Sequence, residues 1–261
     1  MVFKAFDLTG KVATITGGNG GIGLGMAEAL AQAGASVCIW GTSEAKNVAA
    51  VAKLRAHGTE ILALRCDVGD EAAVEKAFAD TVGHFGRVDA FFANAGVIGS
   101  SGVKSFVEMT SEEWRRVMRV NLDGAFYTLR AAARHMIDGA HGGALVVTSS
   151  LAAISGPPRN QHYAASKGGV ISMMHALAVE LARYKIRANA IQPGWIDTPM
   201  NYEYIANLGG IEKVEAMLET IQPLGTGRPE QVAAAAVFLA SDESSLITGT
   251  SILVDGGLTA Q

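Results

Sequence analysis

The chain has 261 residues, 49% of them hydrophobic and 18% charged, with a net charge of −4. A length near the upper limit for one core predicts a single domain over 1–261, and the apolar excess predicts heavy burial in a covered sheet or in subunit contacts. The mild acidity gives no electrostatic basis for binding nucleic acid or an anionic membrane, no run reaches the ~18 apolar residues of a membrane span, and no secretory signal pattern opens the chain, so the expected location is cytoplasmic.

Taken in chain order, the apolar periodicity alternates in kind. "KVATIT" (11–16) is a short β-type run, followed by a glycine cluster and by "MAEALAQAG" at helical spacing, with Gly34 closing that helix. "SVCIWG" (36–41), a helical stretch over 43–57, "EILALRCDV" (60–68) and a helix near 70–85 follow, then "VDAFFANAG" (88–96) and a long helix over roughly 111–137. "GALVVTSS" (143–150), a helix near 161–183, "IRANAIQPG" (186–194), a helix near 229–240 and "GTSILVDGG" (249–257) complete the pattern. Cys38 and Cys66, each near the end of a strand, read as buried free thiols, which fits a reducing compartment. Strands alternating with helices imply right-handed crossovers, and so an α/β fold with a doubly wound sheet of seven parallel strands and helices on both faces. The segment at about 197–226 breaks the rhythm. It leaves the carboxyl end of the sixth strand, where open α/β sheets bind ligands, and reads as a substrate lid.

"TITGGNGGIGLG" connects the first strand to the first helix. Gly17, Gly21 and Gly23 give a tight turn and let the backbone approach a pyrophosphate facing the helix N-terminus, the arrangement that binds a dinucleotide. The end of the second strand then bears on which dinucleotide fits, because an acid there accepts from a ribose 2′-hydroxyl and repels a 2′-phosphate. Gly41 stands in that place, followed by the hydroxyls of Thr42 and Ser43 and, a turn later, Lys46. The balance leans to NADP(H) over NAD(H).

"YAASK" places Tyr163 and Lys167 four apart on one helix face. A free phenol, with a pKa of about 10, is a poor base at neutral pH, and an adjacent ammonium lowers it. The phenol is then fit to give a proton to a carbonyl oxygen, or to take one from an alcohol. Ser150, at the carboxyl end of the fifth strand, is the candidate second hydrogen-bond donor, with Ser149 as its competitor. His162 projects from another face of the helix and reads as a substrate wall or a surface histidine. No cluster of cysteine, histidine and carboxylate has metal-ligand spacing, so no metal site is expected.

Together "TGGNGGIG" (16–23), "CDV" (66–68), "NAG" (94–96), "VNLDG" (120–124), "SS" ending at Ser150, "YAASK" (163–167) and "QPGWIDTPM" (192–200) resemble the short-chain dehydrogenase/reductase family of the single-domain type, in family order and over nearly the whole chain. The resemblance implies a Rossmann fold. It implies Tyr163 as general acid/base, Lys167 as activator and ribose anchor, Ser150 as the hydroxyl that orients the carbonyl, and Asn121 as the asparagine completing the proton relay through a water near the lysine. It implies adenine contact by Asp67, with Val68 beside it, a steadying role for Asn94, diphosphate contact by Ile22 and carboxamide contact by Thr198. Asn19, Ala95, Gly96, Pro193, Gly194 and Ile196 fall in the same cofactor-binding motifs. The chain departs from the family mainly in the plain "WGTS" after the second strand.

Substrate contact is expected from Ser150, Tyr163, Ile154, Val97, Trp195, Met200, Tyr202 and Tyr204, a mostly apolar and aromatic set pointing to a hydrophobic ketone or secondary alcohol. No arginine is obviously placed for a carboxylate or phosphate, although Arg159, in the Pro157–Pro158 loop, has the length to reach inward. Three functions share these features: an NAD(P)-dependent carbonyl reductase or alcohol dehydrogenase, a nucleotide-sugar epimerase or dehydratase, and a dinucleotide-binding sensor or scaffold without turnover. The first is favoured, because a sensor needs no proton relay and the epimerases carry a larger C-terminal substrate domain. The helix from Ala164 to Ala182 is apolar or small nearly all the way round, which predicts a homo-oligomer, tetramer or dimer.

Overall fold

The described residues, 6–99, 105–207 and 209–260 (without the side chains at 203, 204 and 207), form seven strands in the computed structural model. In chain order the elements are β1 (Val12–Thr16), α1 (Gly21–Gln32), β2 (Ser36–Gly41), α2 (Glu44–Leu54), β3 (Ile61–Arg65), α3 (Glu71–Phe85), β4 (Ala90–Ala93), α4 (Ser111–Met118) and α5 (Gly124–Asp138). They continue with β5 (Gly143–Thr148), α6 (Ala152–Ser155), α7 (Gln161–Leu181), β6 (Ile186–Pro193), α8 (Tyr202–Asn207), α9 (Ile211–Ile221), α10 (Pro229–Ala240) and β7 (Ser251–Val254). The sheet order is β3-β2-β1-β4-β5-β6-β7, and every neighbouring pair is parallel. Winding outward from β1 in one direction and from β4 in the other opens a crevice at the carboxyl ends of those two strands.

Alternation along the strands divides the core into two layers. Cys38, Trp40, Phe91, Leu145 and Val147 join Phe78, Leu129, Met136 and Met174 on one face. Val37, Ile39, Phe92 and Val146 join Met26, Leu30, Val232 and Leu239 on the other. Trp40 stacks edge-on against Phe91 at 5.5 Å, and its indole N–H donates to Thr81 Oγ1 at 3.1 Å, so the largest core side chain is also satisfied in polar terms. Cys38 lies in the middle of β2 rather than near its end, and both thiols are free and buried. Burial pushes the Cys38 and Cys66 thiols up to about 11 and about 12. Among the described residues no helix is long and apolar enough to cross a membrane.

Two expectations are refined. The long helix over 111–137 is α4 and α5 joined by a π-turn, Arg119–Asp123, which carries Asn121 in a buried position. The Pro157–Pro158 loop is preceded by the short helix α6. Among its described residues the segment 197–226 contains α8 and α9 and no named strand; an isolated bridge, Ile196 to Gly227, ties its base.

Helices α1 and α10 pack closely because α1 presents Gly25 to the start of α10. A Cβ there would lie 2.8 Å from Pro229 Cβ and 3.0 Å from its carbonyl carbon. Helix propensity alone favours Gly→Ala by roughly 1 kcal/mol, but the overlap is with backbone, and overpacking costs about 1–3 kcal/mol. Gly25→Ala is therefore expected to lower Tm, by roughly 2–4 °C for each net kcal/mol lost. A calorimetric scan in which the variant melts at or above the wild-type temperature would mean that the two helices separate freely.

Candidate active site

A cavity of about 850 Å³ opens at the carboxyl ends of β1 to β6. Of the residues selected from the sequence, Gly17, Asn19, Gly21, Ile22, Gly23, Thr42, Asp67, Val68, Asn94, Ala95, Gly96, Val97, Ser150, Tyr163, Lys167, Pro193, Gly194, Ile196, Thr198 and Met200 line it. Ser43, Asn121, Ile154, Trp195 and Tyr202 are not among its lining residues.

One end of the cavity is made of backbone. Gly17 and Gly21 take φ of +66° and +51°, in the left-handed region that glycine adopts without strain. Gly23 leaves a hollow, since a Cβ there would stand 2.3 Å from Gly17 O and 2.5 Å from Asn94 Nδ2. Helix α1 begins at this hollow with no side-chain cap and no acid in its first turn. Its N–H groups and the positive end of its dipole therefore face the cavity unneutralised, which fits an anionic phosphate group. Thr16 and Asn94 lock the turn to β4: Thr16 Oγ1 accepts from the N–H of Asn94 and of Ala95 at 2.9 Å each, and Asn94 Nδ2 donates to Thr16 O at 2.8 Å. Asn94 Oδ1 accepts from Thr148 Oγ1 at 3.1 Å, which extends the lock to β5.

Asp67 sits at the end of β3, with Oδ1 accepting from Gly69 N at 2.9 Å and Oδ2 paired with Arg119 Nη1 at 3.0 Å. Thr42 and Lys46 border the same end, and Ser43 is the N-cap of α2. Thr198 is buried at the base of the 197–226 segment and lies 3.4 Å from the position of a Cβ on Gly21, so that segment starts against the glycine turn.

The other end holds the reacting side chains. Ser150 Oγ accepts from Ala152 N at 3.1 Å and is hydrogen-bonded to the Tyr163 phenol. Ser149 does not compete: it is buried, and its hydroxyl donates to Lys167 O at 2.8 Å, fastening α7 to the end of β5. Lys167 is 4% exposed and donates from Nζ to Thr148 O at 2.7 Å, with Nζ 5.7 Å from the Tyr163 ring centroid. Burial drives its ammonium down to about 8. Tyr163 is partly open to the cavity, yet the protein around the ring pushes its phenol up, with the Ser150 hydrogen bond opposing that rise. The expected depression by Lys167 is absent because the ammonium is aimed at the Thr148 carbonyl rather than at the phenol oxygen.

Asn121 is buried, and its amide is engaged at both ends. Oδ1 accepts from Val97 N at 2.8 Å, and Nδ2 donates to Val97 O and Ser166 Oγ at 3.0 Å each. The side chain thus braces the loop after β4 against α7. Gly96 fits between this amide and the lysine, where a Cβ would stand 3.4 Å from Asn121 Oδ1 and 3.3 Å from Lys167 Nζ.

His162 is not a surface residue. It is 1% exposed and lies 3.6 Å from Glu113 Oε1, and burial pulls its imidazole down. Arg159 is exposed and outside the cavity lining, so it does not reach inward. Ile154 and Tyr202 are each 58% exposed, Trp195 is half-buried, and the side chain of Tyr204 lies outside the described residues. Arg116 and Arg119 also line the cavity and were not singled out from the sequence. Arg119 meets Asp67 across 52 positions, and no local spacing signals a pairing of that range.

Residues 17–259 match the family model described as enoyl-(acyl carrier protein) reductase. The L-rhamnose 1-dehydrogenase (NAD(P)(+)) of a Sphingomonas species is 38% identical over 253 residues, covering 96% of this chain and 97% of that protein. The NADP-dependent (R)-specific alcohol dehydrogenase of Lentilactobacillus kefiri is also 38% identical, covering 97% and 98% of the two chains. Among solved structures, a short-chain type dehydrogenase/reductase from Mycobacterium marinum superposes with a TM-score of 0.92 at 36% identity over 100% of both chains. Levodione reductase superposes at 0.91 and 35% identity, covering 97% of this chain and 99% of its own. A seven-stranded parallel sheet of this order, matched over nearly its whole length, makes the chain a member of the short-chain dehydrogenase/reductase family of NAD(P)-dependent oxidoreductases.

Proposed function

We propose that the protein interconverts a ketone and a secondary alcohol, with Tyr163 as general acid/base. The observation that carries this reading is the convergence of Ser150, Tyr163 and Lys167 on one wall of a cavity whose other end is an uncapped helix N-terminus behind a glycine turn. A nicotinamide dinucleotide fits that hollow and, when bound, supplies or accepts the hydride. Ser150 orients the substrate oxygen beside the phenol. Burial keeps Tyr163 protonated, so in the reducing direction its proton is available for that oxygen. The resulting phenolate is stabilised by the Lys167 ammonium once Nζ turns from the Thr148 carbonyl. Thr148, Ser149 and Asn121 hold the lysine and its helix in place.

Val97, Ile98 and Met200 border the reacting end and support a substrate with a hydrophobic body. The segment 197–226 acts as the lid, carrying Met200 and Tyr202 over the mouth, where Ile154 and Trp195 complete the wall. NADP(H) is preferred over NAD(H), on the absence of an acid at Gly41 and the presence of Thr42 and Lys46 at the cavity edge. The relatives named above include an NAD(P)(+) and an NADP-dependent enzyme, in keeping with a family that uses either form. Exposed Phe126, Val179 and Leu246 support a homo-oligomer, dimer or tetramer.

Tyr163→Phe is expected to reduce turnover of a hydrophobic ketone by about 10²–10⁴-fold while coenzyme affinity changes little; near wild-type turnover rejects Tyr163 as the proton donor. Titrating the wild type with NADPH and NADH is expected to give the tighter constant for NADPH, and an equal or reversed order removes the preference. Lys167 gives a pH signature in the coenzyme-free protein. Its ammonium sits at about 8 when folded against an ordinary 10.5, so between those values the folded chain holds fewer protons than the unfolded one. Stability gains from this group as pH rises through that window, and the burial cost is fully present below it. Denaturation of wild type and Lys167→Met in parallel should show the difference moving in favour of wild type from about pH 8 upward. A difference that stays flat would mean that the ammonium is solvated.

A further inference from the structure

The end of β2 is closed by a pair of amides. Gly41 is buried, and a Cβ on it would stand 2.0 Å from Asn19 Nδ2, 2.5 Å from Asn19 Cγ and 2.6 Å from Asn47 Oδ1. Asn19 comes from the glycine turn and Asn47 from α2, and Asn19 Nδ2 donates to Asn47 Oδ1 at 2.7 Å. Asn47 is 2% exposed and donates from Nδ2 to Gly41 O at 3.2 Å and to Leu64 O at 3.3 Å. These two bonds fix the amide's orientation, since a flipped amide would set its oxygen against both carbonyl oxygens. The Asn47 oxygen therefore has to face the space beside Gly41.

We propose that the Asn19–Asn47 pair is a coenzyme-specificity device that bars a carboxylate from the end of β2. The bar acts twice. The volume that a side chain at 41 needs is already filled. If Asn19 swings aside, an acid would also meet the fixed acceptor oxygen of Asn47, and two acceptors facing each other without a proton are repulsive. The β2 side of the adenosine ribose end is thereby kept free of a carboxylate and open to a 2′-phosphate beside Thr42 and Lys46, while the Asp67 carboxylate at the end of β3 is paired with Arg119. Asn47 does not line the cavity; it is a positioning residue that acts through Asn19 and through the backbone of Gly41. The proposal rests on the dinucleotide reading of the site. It carries a consequence of its own: placing an acid at position 41 is not enough to make the enzyme NAD-selective.

The test is coenzyme binding by the full chain, NADH and NADPH titrated separately, in wild type, Gly41→Asp, Gly41→Asp/Asn19→Ala and Gly41→Asp/Asn19→Ala/Asn47→Ala. Gly41→Asp is expected to weaken NADPH at least tenfold without tightening NADH. Removing Asn19 alone leaves NADH weak, and removing Asn47 as well is expected to tighten NADH at least tenfold relative to Gly41→Asp. The proposal is overturned if Gly41→Asp alone gains NADH affinity as fully as the triple variant. Should the acid variants not fold, thermal melting of Gly41→Ala in the wild-type and Asn19→Ala backgrounds decides. The methyl should lower Tm by several degrees in the first and by clearly less in the second, and additive effects overturn the proposal. The wild-type preference between NADPH and NADH is read separately, so its failure would touch the coenzyme assignment and leave the bar at position 41 to be judged by the variants.

Discussion

The site depends on one interlock, the contact between the turn after β1 and the end of β4. Thr16 accepts three hydrogen bonds there, two from Asn94 and one from the N–H of Ala95, and Gly23 makes the closeness possible by having no side chain to place between them. Thr148 joins the same network from β5, and its carbonyl in turn receives the Lys167 ammonium. The glycine turn after β1 and the Lys167 side chain are thus tied by hydrogen bonds to neighbouring strand ends. Such placement is easier to reach on strand ends than on free loops, because the sheet register sets the distances.

Polar side chains buried at the site are held by specific partners. Lys167 is held in place by Thr148, and its helix is tied down by Ser149, at the cost of desolvating an ammonium. Asn121 spends its whole amide holding the Val97 loop to α7. The π-turn that carries Asn121 adds a residue to the helical turn and fits the pattern of helix irregularities at functional sites. A fold optimised for stability alone would fill these positions with apolar side chains.

Much of this was legible in the sequence. The alternation of β-type runs and helical periods gave the strands and helices in order, because burial on both faces leaves near-continuous apolar runs in a parallel sheet. The glycine turn and the Tyr163–Lys167 pair were readable because their chemistry depends on local spacing. Contacts between distant segments left no such mark. Nothing local to Asn47 shows that it fills the space beside Gly41, and nothing local to Lys167 shows that it donates to Thr148. The π-turn was invisible as well, since an added residue shifts the period by an amount that a helix with two buried faces absorbs. The surface alternative for His162 failed for a related reason: its face of α7 is covered by Glu113 on α4, 49 positions earlier.

The two cysteines have a use unrelated to chemistry at the site. Cys38 is fully buried in the middle of β2, and Cys66 is nearly so just past the end of β3, both with thiols held far from ionisation. The thiolate is the reactive form, so both thiols are held below ordinary reactivity at neutral pH while the sheet is closed. Each time β2 or β3 leaves the sheet, a thiol is exposed and returns toward ordinary reactivity. The chain therefore carries two internal clocks of its own opening, and the difference between their rates separates fraying of the β3 edge from disruption of the interior at β2.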